Sequence, residues 1–290
     1  KFAFNVNYIR EKLNFNITWT QFSEVILQDF QWVDDPSTAS ISTATDVYEA
    51  IGSLDFSLKY DLSTGIDLII GGTKGIGKSI IDLLIENNKI TCMSRNGSEY
   101  RHENYNHINF DATLDDFPDL ENLDSLVYCP GSINLKPIST LSIEDFRNDF
   151  ELNVIGAVKA IKKYLPVIKK GENPSILLFS TVATKLGMPY HASVSASKSA
   201  IDGIVKTLGA ELAPKIRVNA IAPTITNTEL ASKILRNEKV VENMIERHPL
   251  KKILSAKEVS KMAKFLISND ASSISGQIIN MDAGIVSFKS

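Results

Sequence analysis

The feature that most constrains the fold is a glycine-rich stretch, Ile70-Gly71-Gly72-Thr73-Lys74-Gly75-Ile76-Gly77. An apolar run, Ile66 to Ile70, leads into it, and a helical pattern, Lys78 to Glu86, follows. A strand, a glycine turn and a helix in this order direct backbone N–H groups and a helix N-terminus at a phosphate. The local pattern alone also fits an ordinary strand-to-helix turn. The nucleotide-binding interpretation predicts ligand contacts at Gly71, Thr73, Lys74, Gly75, Ile76 and Gly77.

The spacing of three glycines gives each of them a separate purpose in such a turn. Gly71 can form the tight turn, and Gly75 lets the backbone approach a ligand. Gly77 lets the helix pack closely against the strand. The three positions therefore agree with one another.

From Gly65 onward, strand and helix patterns alternate. The strand candidates are 66–70, 90–94, 108–110, 126–129, 176–180, 216–221 and 277–281, and the helix candidates are 75–87, 142–169, 194–213, 228–247 and 256–268. Such alternation predicts an α/β fold: a Rossmann-type, doubly wound, seven-stranded and mostly parallel sheet with helices on both faces. Between Asp111 and Asp124 there is little room for a full crossover helix.

Residues 1–63 differ from the rest and are predicted to be an N-terminal extension, with 64–290 as the dinucleotide-binding domain. Phe2 to Tyr8 alternates weakly, as a strand would, whereas Trp19 to Phe30 carries a helical apolar stripe. No catalytic constellation is found here. The extension could serve packing or oligomer contacts, or it could cover a substrate pocket.

Charge and composition narrow the classes of partner. The formal net charge of −3 leaves no basic footprint, so nucleic acid is not an expected partner. No apolar run approaches the ~18 residues of a membrane span, and the first residues lack a signal-peptide layout. Cys92 and Cys129 are expected on two strands that flank the first one, too far apart for a disulfide. Two unpaired thiols favour a cytoplasmic location.

Metal binding is not predicted. The two cysteines and four histidines are scattered without the spacing of a ligand set.

Residues 65–285 resemble the short-chain dehydrogenase/reductase family through several ordered matches. Ile70–Gly77 is similar to its glycine turn, and Gly131 is the one match to its Asn-Asn-Ala-Gly segment. The resemblance implies that Asp111 meets the adenine, that Asn153 is a structural and proton-relay residue, and that Thr181 stands at the catalytic serine. It further implies nicotinamide contacts from the 222–228 segment, at Pro223, Ile225 and Thr228.

The main departure from the family lies at Val194-Ser195-Ala196-Ser197-Lys198. The family has Tyr-x-x-x-Lys, two side chains one helical turn apart on the same face. The resemblance implies that Lys198 binds the nicotinamide ribose, but Val194 stands at the position of the tyrosine that donates the proton. Lys198 could instead be a solvated helix lysine.

A replacement proton donor has to lie within hydrogen-bond distance of the substrate carbonyl oxygen. His191 and Tyr190 are the two candidates, and histidine titrates near neutrality. His191 could instead be an exposed loop residue and Tyr190 a packed aromatic. Ser193 and Thr181 could polarise the carbonyl or hold a water.

The cofactor preference is predicted from the end of the second strand. An NAD site usually has an acidic residue there, whereas this chain has Ser94-Arg95. A guanidinium suits a 2′-phosphate, and Lys74 would add a second positive charge nearby. NADP(H) is therefore favoured over NAD(H), although both cations could also be solvated surface charges.

Three functions remain open from the sequence. The first is an NADP(H)-dependent oxidoreductase, of the carbonyl reductase or alcohol dehydrogenase type, with an altered proton donor and a small-molecule substrate. The second is a catalytically silent dinucleotide-binding homologue that acts as a sensor or scaffold, and the third is an interaction scaffold built on residues 1–63. The resemblance implies a homodimer or homotetramer formed through the helices at 142–169 and 194–213.

Overall fold

The computed structural model describes residues 65–98 and 100–288 in full, together with the backbone of three strands nearer the N-terminus. It forms two compact units, 1–63 and 64–290. In the first unit, β1 (Phe2–Arg10), β2 (Leu13–Gln21) and β3 (Leu54–Tyr60) form an antiparallel sheet in that order.

One expectation for the first unit is wrong. Trp19 to Gln21 belong to β2, not to a helix, because Phe15, Ile17 and Trp19 alternate with polar residues at the period of a strand. The remainder of the apolar stripe, to Phe30, lies outside the described residues.

The second unit is a seven-stranded sheet, all of whose strand pairs are parallel. Its strands are β4 (Ile66–Ile70), β5 (Lys89–Ser94), β6 (Tyr105–Asn109), β7 (Ser125–Tyr128), β8 (Ser175–Phe179), β9 (Arg217–Pro223) and, after the short parallel pair β10 (Thr226–Asn227) and β11 (Leu254–Ser255), β12 (Ile278–Met281). The helices are α1 (Gly75–Leu84), α2 (Ile143–Phe150), α3 (Gly156–Ile168), α4 (Ala192–Glu211), α5 (Glu238–Arg247) and α6 (Ala256–Ile267). The predicted fold class is confirmed.

Side-chain alternation on the central strand separates two buried layers. Leu68 and Ile70 of β4 pack with residues of α3 and α4, whereas Ile69 packs with residues of α1 and α6. Because successive strand side chains point to opposite faces, each layer takes every second residue. The helices therefore cover both faces of the sheet.

The strand order β12-β9-β8-β7-β4-β5-β6 reverses direction between β4 and β7. From β4 the chain builds outward through β5 and β6, and from β7 it builds outward on the opposite side. In open parallel sheets, the crevice beyond the carboxyl ends of the strands at such a point is where ligands bind. The fold thus places the candidate site above β4 and β7.

The connection between β6 and β7 contains no helix, as its length predicted. Aromatic rings fill the space instead: Phe110 and Phe117 have centroids 4.6 Å apart, and Phe117 meets Tyr164 of α3 edge-on at 6.0 Å. The Tyr164 hydroxyl donates to the Pro118 carbonyl at 2.8 Å.

Several predicted boundaries shift. The expected helix at 228–247 is interrupted, because Asn237 is extended and its side chain accepts the Val240 N–H, so that α5 begins only at Glu238. The strand expected at 108–110 runs from Tyr105 to Asn109. The single helix expected at 142–169 is α2, a wider π-helical turn and α3 in succession.

Candidate active site

The glycine turn after β4 has the geometry that its sequence predicted. Gly71 and Gly75 have φ angles of +77° and +53°, which residues other than glycine rarely adopt. A Cβ on Gly77 would lie 2.4 Å from the Gly71 carbonyl oxygen, so only glycine lets α1 start this close to the strand. The Gly71 N–H donates to the Met93 carbonyl at 2.7 Å and ties the turn to β5.

The segment after β9 lies against this turn. A Cβ on Gly75 would be 3.4 Å from the Thr228 Cβ. The amine of Lys74 lies 2.8 Å from the Glu229 carboxylate, and both side chains are exposed. Lys74 is therefore paired with an acid rather than standing as a separate cation.

Pro223 and Ile225, which the resemblance also assigns to the cofactor, lie where the segment after β9 begins. Pro223 is the last residue of β9, and the Ile225 carbonyl accepts the Leu254 N–H at 3.1 Å.

At the end of β5, the side chain of Ser94 is buried, whereas that of Arg95 is exposed and accessible to a ligand. Ser94 is buried, and its hydroxyl donates to the Asn96 carbonyl and lies 2.9 Å from His107 Nε2. Arg95 is 71% exposed, and its guanidinium is 3.9 Å from the Asp111 carboxylate. Arg95 is thus the side chain that can reach a ligand at this edge.

Asp111 follows β6 and its carboxylate is held by its own turn. It accepts hydrogen bonds from the Thr113 hydroxyl at 2.6 Å and the Thr113 N–H at 2.9 Å. These bonds, with a smaller contribution from Arg95, lower the pKa of Asp111 below its usual value. Asp111 and Arg95 therefore share one end of the crevice.

The amine of Lys198 is buried and not solvated. It donates to the Phe179 carbonyl at 2.9 Å. Burial lowers the pKa of Lys198 to about 8, and Cys129, Asp149 and Asp202 oppose that shift. An amine in this state can donate to a ligand hydroxyl without competing bulk water.

The side chains of Asn153 and Lys198 both lie beside Gly131. A Cβ on Gly131 would be 3.4 Å from Asn153 Oδ1 and 3.6 Å from Lys198 Nζ. Asn153 lies in the π-helical turn Glu151–Ile155, and such turns are frequent at functional sites. The structure therefore brings together three residues that the sequence assigned separately.

A buried polar cluster beneath this point was missed by sequence reasoning. Asp149 accepts hydrogen bonds from the hydroxyls of Ser132 and Ser193, each at 2.5 Å. The Asn153 Nδ2 donates to Ser132 at 3.2 Å and to Ser197 at 3.1 Å. The sequence feature that could have indicated this cluster is that Asp149 lies one helical turn before Asn153.

Val194 is buried near the start of α4, four residues before Lys198. Thr181 follows β8 and is half-buried. Its hydroxyl oxygen accepts the Ala183 N–H at 3.3 Å, and among the bonds of the described residues its proton has no acceptor. Thr181 can therefore still donate a hydrogen bond.

His191 and Tyr190 both line a cleft of about 650 Å³ that also includes Ala183 and Ser195. His191 Nδ1 is 2.7 Å from the Pro189 carbonyl, which only a protonated Nδ1 can satisfy, so Nε2 remains available. Tyr190 is 59% exposed and has a φ of +69°. Of the two, His191 is the more enclosed.

Two absences apply to the described part of the chain. None of its helices is long and apolar enough to cross a membrane. Within the same residues, no group of three or more histidine, cysteine or acidic side chains could hold a metal ion, and Cys92 and Cys129 are both free thiols.

Comparison with known proteins gives a consistent result. The family model described as enoyl-(acyl carrier protein) reductase matches residues 78–286. The 3-oxoacyl-[acyl-carrier-protein] reductase FabG of Buchnera aphidicola subsp. Baizongia pistaciae is 28% identical over 238 residues, which are 76% of this chain and 96% of that protein.

Two solved structures superpose on the same region. ElxO with NADP bound is 27% identical with a TM-score of 0.69, covering 78% of this chain and 100% of its own. The ligand-free aldohexose dehydrogenase AldT of Thermoplasma acidophilum is 24% identical with a TM-score of 0.72, covering 79% and 96%, and shows the likeness of fold.

Proposed function

Because the chain belongs to the short-chain dehydrogenase/reductase family, we propose that it is an NADP(H)-dependent oxidoreductase that interconverts a small carbonyl compound and its alcohol. The observation that carries the proposal is the buried amine of Lys198 beside Gly131 and Asn153. A buried cation without a carboxylate bound to it is costly, and such a group is commonly retained for function.

The residues present fit a dinucleotide. The glycine turn leaves no room for a side chain at Gly77, and Gly71 and Gly75 present backbone in left-handed conformations. The buried Oδ1 of Asn153 has no hydrogen-bond partner among the described residues. The residues that would hold the cofactor are Gly71, Thr73, Lys74, Gly75, Ile76, Gly77, Ser94, Arg95, Asp111, Gly131, Pro223, Ile225, Thr228 and, at the ribose, Lys198.

The preference for NADP(H) rests on Arg95. Its exposed guanidinium can donate two parallel hydrogen bonds to a 2′-phosphate. Lys74 is paired with Glu229, so it supports this preference less than the sequence suggested. The occurrence of NADP in ElxO supports the same choice.

We expect Arg95→Ala to weaken NADPH binding by about 10- to 100-fold, since a hydrogen bond to a charged group contributes about 1.5–3 kcal/mol. NADH binding should change little. Titration of both nucleotides against wild type and variant measures the ratio. Arg101→Ala is the matched control, because Arg101 is also exposed and donates only to the Tyr100 carbonyl among the bonds described. Equal losses for NADPH and NADH in Arg95→Ala would contradict the assignment.

The chemical step needs a proton for the carbonyl oxygen. When bound, the nicotinamide supplies the hydride to the carbonyl carbon or removes it from the alcohol. Val194 has no ionisable proton, so another group must move the proton. We propose His191, with Thr181 donating a hydrogen bond to the same oxygen and Tyr190 as the less enclosed alternative.

His191 suits this role because its Nδ1–H is already committed to the Pro189 carbonyl. A protonated His191 can then release the Nε2 proton to the carbonyl oxygen as the carbon is reduced, and the neutral ring recovers a proton from water. The reverse order applies to alcohol oxidation. In this scheme Lys198 and Asn153 bind and orient the cofactor and do not transfer the proton.

The substrate is proposed to enter the cleft beside His191. Ile138 and Met188 contribute apolar surface and Lys136 a charge, so a partly apolar compound fits. Leu230, in the segment over the glycine turn, is 53% exposed and could cover such a compound.

A second function is favoured by Val194 itself. A valine buried at this position removes the family's proton donor and leaves Lys198 in place, which is what a silent dinucleotide-binding sensor or scaffold would retain. Both functions predict NADPH binding, and only the first predicts turnover.

The test uses purified protein and a broad panel of ketones and aldehydes. We expect NADPH to raise the melting temperature, Lys198→Ala to reduce that rise, and at least one carbonyl compound to oxidise NADPH. His191→Gln keeps a polar side chain of similar reach without the imidazole, and should lower that turnover by about 10²–10⁴-fold. Thr181→Ala should lower it less. Binding without turnover across the panel would favour the silent binder, and no binding would reject both.

We also propose that the protein is a cytoplasmic homo-oligomer. An apolar groove of about 520 Å³ runs between α3 and α4, with Val158, Leu165 and Ile204 among its residues. This supports a homodimer or homotetramer formed through these helices. The two free thiols are consistent with a cytoplasmic protein, and residues 1–63 are proposed to contribute packing or oligomer contacts.

A further inference from the structure

Asp149 is buried at the end of α2, and both of its carboxylate oxygens are occupied by serine hydroxyls. A carboxylate only accepts hydrogen bonds. Ser132 and Ser193 must therefore each donate their single hydroxyl proton to Asp149. The charge of Asp149 thus dictates which way both hydroxyls point.

This direction is passed on to Asn153. With its proton used on Asp149, Ser132 presents only lone pairs to its other neighbour, the Asn153 side chain. Ser197 also accepts from Asn153 and donates to the Val194 carbonyl at 3.1 Å, but no carboxylate holds its hydroxyl, which can rotate. Ser132 can thus only accept from Asn153, so the amide nitrogen of Asn153 has to face it.

The amide oxygen is then turned the opposite way. Asn153 is 1% exposed, and its Oδ1 has no partner among the described residues. The position that a Cβ on Gly131 would take is 3.4 Å from this oxygen and 3.6 Å from the Lys198 amine, so both atoms border the same point beside Gly131. A buried acceptor without a partner is unfavourable, so a ligand or water that donates to this oxygen would be bound favourably.

We propose that Asp149 is a positioning residue that fixes the amide of Asn153 through Ser132, so that Asn153 Oδ1 and Lys198 Nζ together receive a hydroxyl group of the bound nucleotide. The oxygen accepts from that hydroxyl and the amine donates to it. This proposal rests on the proposed function for the identity of the ligand, whereas the orientation of Asn153 does not depend on it.

The test compares Asp149→Asn and Ser132→Ala with Ser193→Ala. Asp149→Asn keeps the shape but allows a donor to face Ser132, which frees Ser132 to donate and lets the Asn153 amide turn over. Ser132→Ala removes the link itself. Ser193→Ala removes the other bond to Asp149 and leaves the path to Asn153 intact, so it is the matched control.

The first measurement uses the protein without nucleotide. Solvent exchange of the Asn153 side-chain NH₂, followed by ¹H–¹⁵N NMR, should be slow in wild type and in Ser193→Ala, and at least tenfold faster in Ser132→Ala and Asp149→Asn. Unchanged exchange in those two variants, or equal acceleration in Ser193→Ala, would overturn the proposal.

The second measurement is the dissociation constant of NADPH. Ser132→Ala should weaken binding about tenfold, and should have no further effect in an Asn153→Ala background, since coupled residues give non-additive effects. A full additional loss in that background would overturn the proposal, because Ser132 would then act by a route other than Asn153. Altered exchange combined with no NADPH binding in wild type would support the role of Asp149 in orienting Asn153, but it would reject both the proposed function and the nucleotide as the ligand of Asn153 and Lys198.

Discussion

In the His191→Gln background, Val194→Tyr is expected to raise the rate of carbonyl reduction by about 10²–10⁴-fold, the contribution of a positioned proton donor. Val194 lies one helical turn before Lys198 on α4, so a tyrosine there would share its face with the amine. The positive charge of Lys198 would favour the ionised phenol and lower the pKa of the new tyrosine. Steady-state rates with the best carbonyl compound of the panel measure the gain.

Val194→Phe is the control for this variant. Phenylalanine introduces the same ring without the hydroxyl, and both rings overfill a buried position at a cost of about 1–3 kcal/mol of stability. The difference between the two variants therefore reports the hydroxyl alone. Equal rates for Val194→Tyr and Val194→Phe, with both proteins folded and binding NADPH, would show that residue 194 is not where the proton is delivered.

Gly77→Ala is expected to abolish detectable NADPH binding and to lower the free energy of unfolding by about 1–3 kcal/mol. The new Cβ would lie 2.4 Å from the Gly71 carbonyl oxygen and 3.0 Å from the Gly72 Cα, both of them backbone atoms. The turn or the start of α1 must therefore move. Denaturant unfolding and nucleotide titration measure the two effects.

The matching control is Gly203→Ala in α4. No atom of the described residues lies within 4 Å of a Cβ at Gly203. Alanine in a helix interior is favoured over glycine by about 0.5–1 kcal/mol, so this variant should be as stable as wild type or more stable. NADPH binding by Gly77→Ala at wild-type affinity would mean that the turn is not the phosphate site.

The sequence predicted the second unit well because its signals are local. The glycine turn at 71–77, the parallel sheet and the missing helix between β6 and β7 all follow from spacing and from side-chain size. The positions of Gly131, Asn153 and Lys198 along the chain also followed from the resemblance. Their convergence within a few ångströms is a property of the strand order.

Hydrogen-bond partners across elements were beyond the sequence. Asp149 looks like a helix-surface acid from its neighbours, and only the packing of α2 against α4 buries it against Ser193. The π-helical turn at Glu151–Ile155 has no spacing signal of its own, since it adds one residue to an otherwise regular helical stripe. Similarly, the Asn237 cap that interrupts the 228–247 helix competes with a helical pattern on both sides of it.

In the β1–β3 sheet, the wrong helix at Trp19 came from choosing between two periods. The 19–30 window favours a helix, whereas residues 13–18 favour a strand, and pairing with β1 and β3 extends the strand to Gln21.

Beside β6, a cluster of three aromatic side chains, Phe110, Phe117 and Tyr164, packs where a crossover helix between β6 and β7 would otherwise lie. Asp111 directly follows Phe110, so the position of its carboxylate depends on the packing of these rings and not on a helix. A smaller side chain at position 117 is therefore expected to loosen the turn that carries Asp111 before it unfolds the sheet.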